Sequence, residues 1–285
     1  MFKSVSSNVW AFDCEWAPDP QAGRTLYGLP PDLPDTEVVV EMWKRGGATD
    51  EDPMPFLKTV LCRVVSIAAV QRIVRGEKTE LRLLWLPRRA DDEKQADEAT
   101  LIGTFLDAIG KARPQIVGYN SQSSDLKILV QRGVIHGLRQ PEFCRRPDKP
   151  WEGTDYFARG SEASIDLMDI LSGWGRSTLS LHEIATLSGI PGKFETAGEQ
   201  VATLWLGGRL RDIVQYNCFD ALTTYLLWLR MAHFAGHFTS EQYEEEQEHV
   251  RQLIMTETEK PDGEYLEKYF DEWQRLQELC QREPN

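Results

Sequence analysis

The chain has 285 residues, of which 41% are hydrophobic and 27% charged, a balance typical of folded globular proteins. Its formal net charge of −13 argues against a protein that coats nucleic acid through bulk electrostatics. No apolar run approaches the roughly 18 residues of a membrane helix, and no signal peptide is evident, so we expect no membrane partner. Five cysteines without a CxxC spacing predict neither a disulfide framework nor a cysteine-ligated zinc site, and the expected setting is the reducing cytoplasm.

The first half of the chain alternates predicted strands and helices around one unusual segment. Residues 8–14 alternate in polarity and are rich in β-forming residues, which predicts a strand. Residues 17–58 contain seven of the fifteen prolines, so we expect a long surface insertion that forms a lid or an irregular arm. Apolar spacing then predicts a hairpin, a helix, a short buried strand and a second helix, at residues 59–72 with 80–86, 93–111, 115–119 and 125–133, respectively.

The second half is predicted to be mostly helical and to end in an acidic tail. Prolines and glycines favour a loop over residues 137–163. Helical spacing of apolar residues recurs at 179–188, 198–207 and 209–235. Residues 239–285 carry a net charge of −9, against −4 for the rest of the chain, and predict two helices separated by the Pro-Asp-Gly at 261–263. We therefore expect one domain over residues 1–238 and an acidic helical extension over 239–285.

The last predicted helix has one apolar face. Its apolar side chains recur at intervals of three and four residues, at Leu266, Tyr269, Phe270, Trp273, Leu276 and Leu279. Because such a face is costly to expose, we expect it to pack on the body of the protein, on a second copy or on a partner protein. The opposite face is acidic and would repel phosphate, so we do not expect the tail itself to bind nucleic acid.

The order of these elements indicates the fold class. A strand, a hairpin, a helix, another strand and then several helices form an α/β arrangement that includes an antiparallel pair. The sequence therefore predicts a mixed β-sheet with helices on its faces.

Three groups of polar side chains are candidates for chemistry. Asp13 and Glu15 are two residues apart on the first strand, so they project from one face of it. Asp125 follows a buried strand and opens a helix, whereas Tyr216 and Asp220 share one side of a long, largely apolar helix. Each group alone has an ordinary explanation: a solvated strand end, a helix N-cap and a hydrogen-bonded Tyr–Asp pair.

Taken together and in this order, the three groups resemble the motifs of the DEDD superfamily of 3′–5′ exonucleases. Asn120 and Asp125 match the second motif of that superfamily. Tyr216, four residues before Asp220, matches the third motif of the subgroup that has tyrosine there. The histidine subgroup would need His at position 215, where this chain has Gln215.

A closer resemblance is to stand-alone predicted exonucleases related to the proofreading domain of family B DNA polymerases. It rests on four further stretches, at residues 165–171, 181–193, 198–201 and 223–230. The resemblance covers residues 8–16 and 59–235, and leaves out the insertion and the tail. One departure is Ser124, because the family usually has an aromatic residue just before the second-motif aspartate.

The resemblance implies a ribonuclease H-like fold and hydrolysis of phosphodiester bonds with two Mg²⁺ or Mn²⁺ ions, which prefer oxygen ligands. It implies that Asp13 bridges both ions, that Glu15 and Asp220 hold the ion that activates water, and that Asp125 supports the second ion through a water molecule. Tyr216 would orient the attacking water, since a phenol with a pKa near 10 is a poor base at neutral pH.

The implied substrate is the 3′ end of a single-stranded nucleic acid, with DNA preferred over RNA. Asn120 and Lys193 are the candidate substrate-binding residues. Because the metal site contacts only phosphate, trimming of RNA by the same site stays open. A second alternative is a non-catalytic docking module whose acidic tail is the functional part, although such a module has no use for four converging acids. A thiol enzyme using Cys14 is disfavoured, because strand parity turns that side chain toward the core.

Overall fold

A five-stranded sheet forms the centre of the protein, for which a computed structural model describes residues 1–149, 152–173, 179–194 and 198–281. In chain order the strands are β1 (Asn8–Pro18), β2 (Cys62–Arg75), β3 (Lys78–Leu86), β4 (Gln115–Gly118) and β5 (Ser164–Asp166). Their order across the sheet is β3-β2-β1-β4-β5. The pairs β1–β2 and β2–β3 are antiparallel, whereas β1–β4 and β4–β5 are parallel. Strand β2 therefore runs against the other four.

Helices cover both faces of this sheet. They are α1 (Pro20–Tyr27), α2 (Asp35–Gly46), α3 (Glu98–Ala112), α4 (Asp125–Ile135), α5 (Leu167–Leu171), α6 (Leu181–Leu187), α7 (Gly198–Leu206), α8 (Leu210–Phe234), α9 (Ser240–Thr258) and α10 (Tyr265–Gln281). The alternation of β1 explains the two layers: Val9 and Ala11 enter the core shared with α8, and Trp10 and Phe12 enter the core shared with α3 and α4. The predicted mixed sheet and ribonuclease H-like α/β fold are confirmed.

The segment 17–58 is not the irregular arm that its prolines suggested. Strand β1 continues to Pro18, and helices α1 and α2 follow, with Val38, Met42 and Trp43 buried in a small core of their own. Two of the prolines that suggested an arm stand at helix starts: Pro20 opens α1, where its fixed φ suits the first turn and no N–H is needed, and Pro34 directly precedes α2. The expectation of an irregular arm is therefore wrong where α1 and α2 form, whereas the expectation that the segment is an insertion stays a prediction.

A short strand and helix, β5 and α5, occupy residues 164–171, where the apolar periodicity gave no element. Three strand residues are too few to show a period, and their position is set by parallel pairing with β4. The other predicted strands and helices are present within a few residues of their expected limits.

The acidic tail forms the two predicted helices and packs against the body. Side chains of α9 and α10, including Ile254, Leu266, Tyr269 and Trp273, belong to the same apolar core as α8 and the sheet. A buried ion pair between Arg72 on β2 and Glu246 on α9 joins the same surfaces. The expectation that the apolar face of the tail is covered is confirmed, and of the three surfaces considered the body of the protein covers it. A division into domains at residues 238 and 239 stays a prediction. Among the described residues, none of the helices combines the length and the apolar character that crossing a bilayer requires.

Candidate active site

Asp13 and Glu15 project from β1 toward helix α8, beside a β-bulge. They pair with the small residues Ala68 and Ser66 of β2, and the register then shifts between Glu15 and Trp16. Small partners leave space above the sheet, and a bulge increases the local twist and re-aims the side chains beside it. The strand thus presents two carboxylates to the helix that crosses over it.

Helix α8 adds a third carboxylate. One oxygen each of Asp13, Glu15 and Asp220 lie within 4.8 Å of one another, and within the described part of the chain this is the one group of acidic, histidine or cysteine ligands so placed. Asp13 and Glu15 are half-buried, and Asp220 is 4% exposed. Burial, followed by the repulsion among these carboxylates, raises the pKa of Asp13 and of Glu15 well above the usual range, and burial also raises the pKa of Asp220.

Asn217 is a site residue that the sequence reasoning missed. Its Nδ2 donates to Oδ2 of Asp13 at 2.8 Å, and its Oδ1 accepts from Oγ of Ser66 at 3.3 Å. Burial and the charge of Asp220 keep the pKa of Glu15 raised, and a hydrogen bond from the same amide opposes them only weakly. The available signal was spacing: Asn217 precedes Asp220 by three residues and so lies on the same side of α8.

Asp125 lies close to the cluster but is engaged elsewhere. Its Oδ1 accepts from the backbone N–H of Cys14 at 2.9 Å, and its Oδ2 lies 2.7 Å from Oγ of Ser124. Burial raises the pKa of Asp125 to about 6. The Asp125 carboxylate is therefore held at the backbone of Cys14, the residue between Asp13 and Glu15. It does not belong to the three oxygens within 4.8 Å, but it is close enough for its charge to raise the pKa of Asp13.

The loop before α4 is built around Asp166, at the end of β5. The Asp166 carboxylate accepts backbone N–H groups of Asn120 at 2.9 Å and Gln122 at 3.0 Å, and it also caps α5. Asn120 adopts a left-handed conformation with φ of 59°, and Gly118 lies so close to Ser121 that a side chain there would collide with it. The side-chain amide of Asn120 makes no hydrogen bond to a described residue, and its predicted contact with substrate stays a prediction.

Tyr216 places a buried hydroxyl beside the carboxylates. Burial, followed by the charges of Asp220, Glu15 and Asp13, raises the pKa of Tyr216, so its phenol stays protonated. The hydroxyl is close enough to lower the pKa of Asp220, yet no described group meets it at hydrogen-bonding geometry. A buried, protonated donor without a partner suits a ligand or a water molecule bound at the cluster.

Lys193 supplies the positive charge nearest to the cluster. It lies in the segment after α6, is exposed, and holds its Nζ 5.8 Å from the centre of the Tyr216 ring. Although the residue as a whole is exposed, neighbouring protein atoms desolvate its ammonium and disfavour the charge. The carboxylates of Asp220, Glu15 and Asp13 outweigh this effect and raise the pKa of Lys193. The ammonium is therefore charged at neutral pH.

These donors fit a hard divalent cation. Carboxylate oxygens are the ligands that such ions prefer. The pKa values of the three carboxylates are raised first by burial and then, for Asp13 and Glu15, by the neighbouring negative charges, which a bound cation would offset. Cys14, in contrast, faces the apolar core, and burial raises the pKa of its thiol well above the usual range, which argues against a thiol nucleophile.

Comparisons with known proteins point to one family. The model of a family described as "Predicted 3'-5' exonuclease related to the exonuclease domain of PolB" matches residues 54–273. The match includes α9 and the first half of α10, so the expectation that the resemblance ends at residue 235 is wrong. Strand β1, with Asp13 and Glu15, precedes the matched range, and the side chains of residues 198–200, part of one resembling stretch, lie outside the described residues.

Solved structures similar to this chain include the family B DNA polymerase from the hyperthermophilic archaeon Pyrobaculum calidifontis. The two share 16% sequence identity with a TM-score of 0.47, over 79% of this chain and 24% of the polymerase chain. This chain thus spans about a quarter of the polymerase chain that it matches. No curated protein sequence matches it significantly.

Proposed function

The chain belongs to the family of predicted 3′-5′ exonucleases related to the exonuclease domain of PolB, and we propose that it removes nucleotides from the 3′ end of single-stranded DNA by metal-dependent hydrolysis. The observation that carries this proposal is the cluster of Asp13, Glu15 and Asp220, whose oxygens converge within 4.8 Å. The relation to a DNA polymerase domain favours DNA over RNA.

The carboxylates would hold two divalent ions, Mg²⁺ or Mn²⁺. Asp13, Glu15 and Asp220 would ligate one ion, and Asp13 would share the second with Asp125 acting through a water molecule. When bound, such ions would activate a water molecule near neutral pH and neutralise charge on the phosphate and the leaving oxygen. Asn217 would keep Asp13 in its ligating orientation, because its amide donates to Oδ2 of that carboxylate.

Tyr216 and Lys193 would act on the water and on the substrate. The Tyr216 phenol stays protonated, so it would orient the attacking water by donating a hydrogen bond rather than by removing a proton. Lys193 would bind a phosphate of the strand, since the residue is exposed and its ammonium lies near the carboxylates and is charged. Asn120, at the second-motif loop, would contact the same terminal nucleotide.

A polarity assay tests this proposal. Single-stranded DNA and RNA of one sequence, labelled at either end, are incubated with the chain and Mg²⁺ or Mn²⁺. We expect a label at the 3′ end to be released at once in a mononucleotide, and a strand labelled at the 5′ end to shorten stepwise. Both reactions should be faster on DNA than on RNA. Release of a 5′ mononucleotide, or internal cleavage, would contradict the proposal, and faster shortening of RNA would reverse the substrate assignment.

A further inference from the structure

The C-terminal helix α10 reaches the segment that carries Lys193 through a chain of two hydroxyl groups. Oγ1 of Thr223 lies 2.9 Å from the carbonyl oxygen of Pro191 and 3.1 Å from Oη of Tyr269. A carbonyl can only accept, so the single hydroxyl proton of Thr223 goes to Pro191, and Tyr269 must be the donor in the second bond. Tyr269 and Thr223 are 0% and 1% exposed, so water cannot substitute for either bond.

The residues on both sides of Lys193 are fixed by this part of the molecule. The ring of Phe194 packs on Phe219 and on Tyr269, with ring centres 4.8 and 5.9 Å apart. Gly192 lies against helix α6, where a β-carbon would approach the carbonyl oxygen of His182 to 3.0 Å. Pro191, Gly192 and Phe194 are therefore held, and Lys193 is the member of this run that is exposed.

We propose that Tyr269 is a positioning residue for the exonuclease site: it holds the Lys193 segment, through Thr223 and Pro191, at the distance where the ammonium binds a substrate phosphate. The inference rests on the proposed function, in which Lys193 contacts the strand. It gives the acidic tail a role in the site that requires no contact between the tail and nucleic acid.

The hydrogen-bonded connection from Tyr269 through Thr223 to Pro191 is called the relay below. A double-mutant cycle tests the relay in the complete 285-residue chain. Tyr269→Phe keeps the ring that packs on Phe194 and removes only the donated hydrogen bond. Lys193→Gln removes the charge that the relay would position, and the double variant measures their coupling. Tyr265→Phe is the matched control, because it removes a phenol hydroxyl from the same helix one turn earlier, where that group faces Cys218 instead.

In Tyr269→Phe, KM for single-stranded DNA should rise about threefold to tenfold, which corresponds to the net effect of one hydrogen bond. The kcat of this variant should be nearly unchanged. Lys193→Gln should raise KM at least as much, and the double variant should match Lys193→Gln within about twofold. Tyr265→Phe should keep the original KM. Additive effects, an equal effect of Tyr265→Phe, or a loss confined to kcat would overturn the relay.

Affinity for the same oligonucleotide, measured by anisotropy in EDTA, separates this inference from the proposed activity. The same pattern of Kd across the variants supports the relay without any turnover, and equal Kd values in all chains overturn it. A chain that shows the pattern in Kd but releases no nucleotide with metal would contradict the proposed activity alone.

Discussion

The orientation of the Asp13 carboxylate depends on an uncharged neighbour, Asn217. Oδ2 of Asp13 accepts a hydrogen bond from Asn217, and Ser66 on β2 fixes which way the Asn217 amide faces. Asn217 is completely buried, so water does not compete for the hydrogen bonds of its amide. A carboxylate held in this way has one oxygen directed by the protein before any cation arrives, which is the usual role of residues that support metal ligands.

Replacing Asn217 with leucine should therefore lower the activity strongly and the stability of the fold only slightly. The change preserves volume but leaves Asp13 without its donor, and the loss of a group that orients a metal ligand typically costs about 10- to 100-fold in activity or metal affinity. The measurement is kcat together with the Mn²⁺ concentration giving half-maximal rate. Ser66→Ala only frees the amide to rotate and should have a smaller effect. An Asn217→Leu chain with unchanged rate and unchanged metal dependence would show that the Asn217 amide only fills space.

The carboxylates of the site follow from periodicity, but their partners do not. Strand parity put Asp13 and Glu15 on one face, and helical spacing put Tyr216 on the side of Asp220, because both periods are local properties of the backbone. Asn217 could be recognised only once α8 lies over β1, since its partner is far away in the sequence. The occupation of both Asp125 oxygens likewise depends on where β1 and Ser124 lie.

At the scale of elements, one buried ionic network joins the segment 17–58 to the body. Arg132 of α4 donates to Glu98 of α3 and to Asp19, the N-cap of α1, both at 2.6 Å. Glu98 also accepts the backbone N–H of Val64, at the bulge beside Glu15, and hydrogen bonds with His136 at 2.7 Å. The network therefore fixes the bulge and the helices around it together.

Removing Arg132 should strongly destabilise the fold. Arg132→Leu would leave two buried carboxylates without a counter-charge, and breaking one member of a buried ion pair typically costs about 3–5 kcal/mol. Arg89→Leu is the matched control, because its pair with Asp91 is exposed and solvent screens such a pair, so that it adds little to stability. The measurement is the free energy of unfolding in urea. Equal losses in the two variants would show that the network contributes no more than a surface pair.

Prolines explain why the helices of residues 17–58 could not be predicted. Pro20 at the first position of α1 and Pro34 just before α2 mark helix starts, but the same residue type also marks loops. The tail posed no such ambiguity, since its apolar stripe has helical spacing and its break falls at the Pro-Asp-Gly of 261–263. The burial of Leu266, Tyr269 and Trp273 against the body then follows from the cost of exposing them.

At the scale of the whole molecule, the site stores electrostatic repulsion that a cation would relieve. Burial and mutual repulsion raise the pKa values of Asp13 and Glu15 above those of an unfolded chain. The folded state therefore binds more protons than the unfolded state once the pH exceeds the ordinary carboxylate value. Stability contributed by these groups is present at low pH and is lost as the pH rises through the folded pKa values.

Two stability measurements follow from this sign. Without metal, the melting temperature of the unmodified chain should fall more between about pH 5 and about pH 8 than that of Asp13→Asn, in which one repelling charge is absent. Millimolar Mn²⁺ should raise the melting temperature of the unmodified chain at neutral pH, and that of Asp13→Asn much less, because only the folded state presents the cluster. Identical pH and metal responses in the two chains would contradict the electrostatic description of the site.

The most direct test of the central claim joins the carboxylate cluster, the metal and the reaction in one measurement. The rate of mononucleotide release from 3′-labelled single-stranded DNA is measured after treatment with EDTA and again after addition of Mn²⁺ or Mg²⁺, for the unmodified chain, for Asp220→Asn and for the exposed carboxylate variant Asp107→Asn. We predict no release in EDTA and release after metal is added, both by the unmodified chain and by Asp107→Asn. The rate of Asp220→Asn should be below about one hundredth of that rate, because losing a metal ligand should cost more than losing a residue that orients a ligand. Metal-independent release, or an Asp220→Asn chain as active as Asp107→Asn, would contradict the central claim.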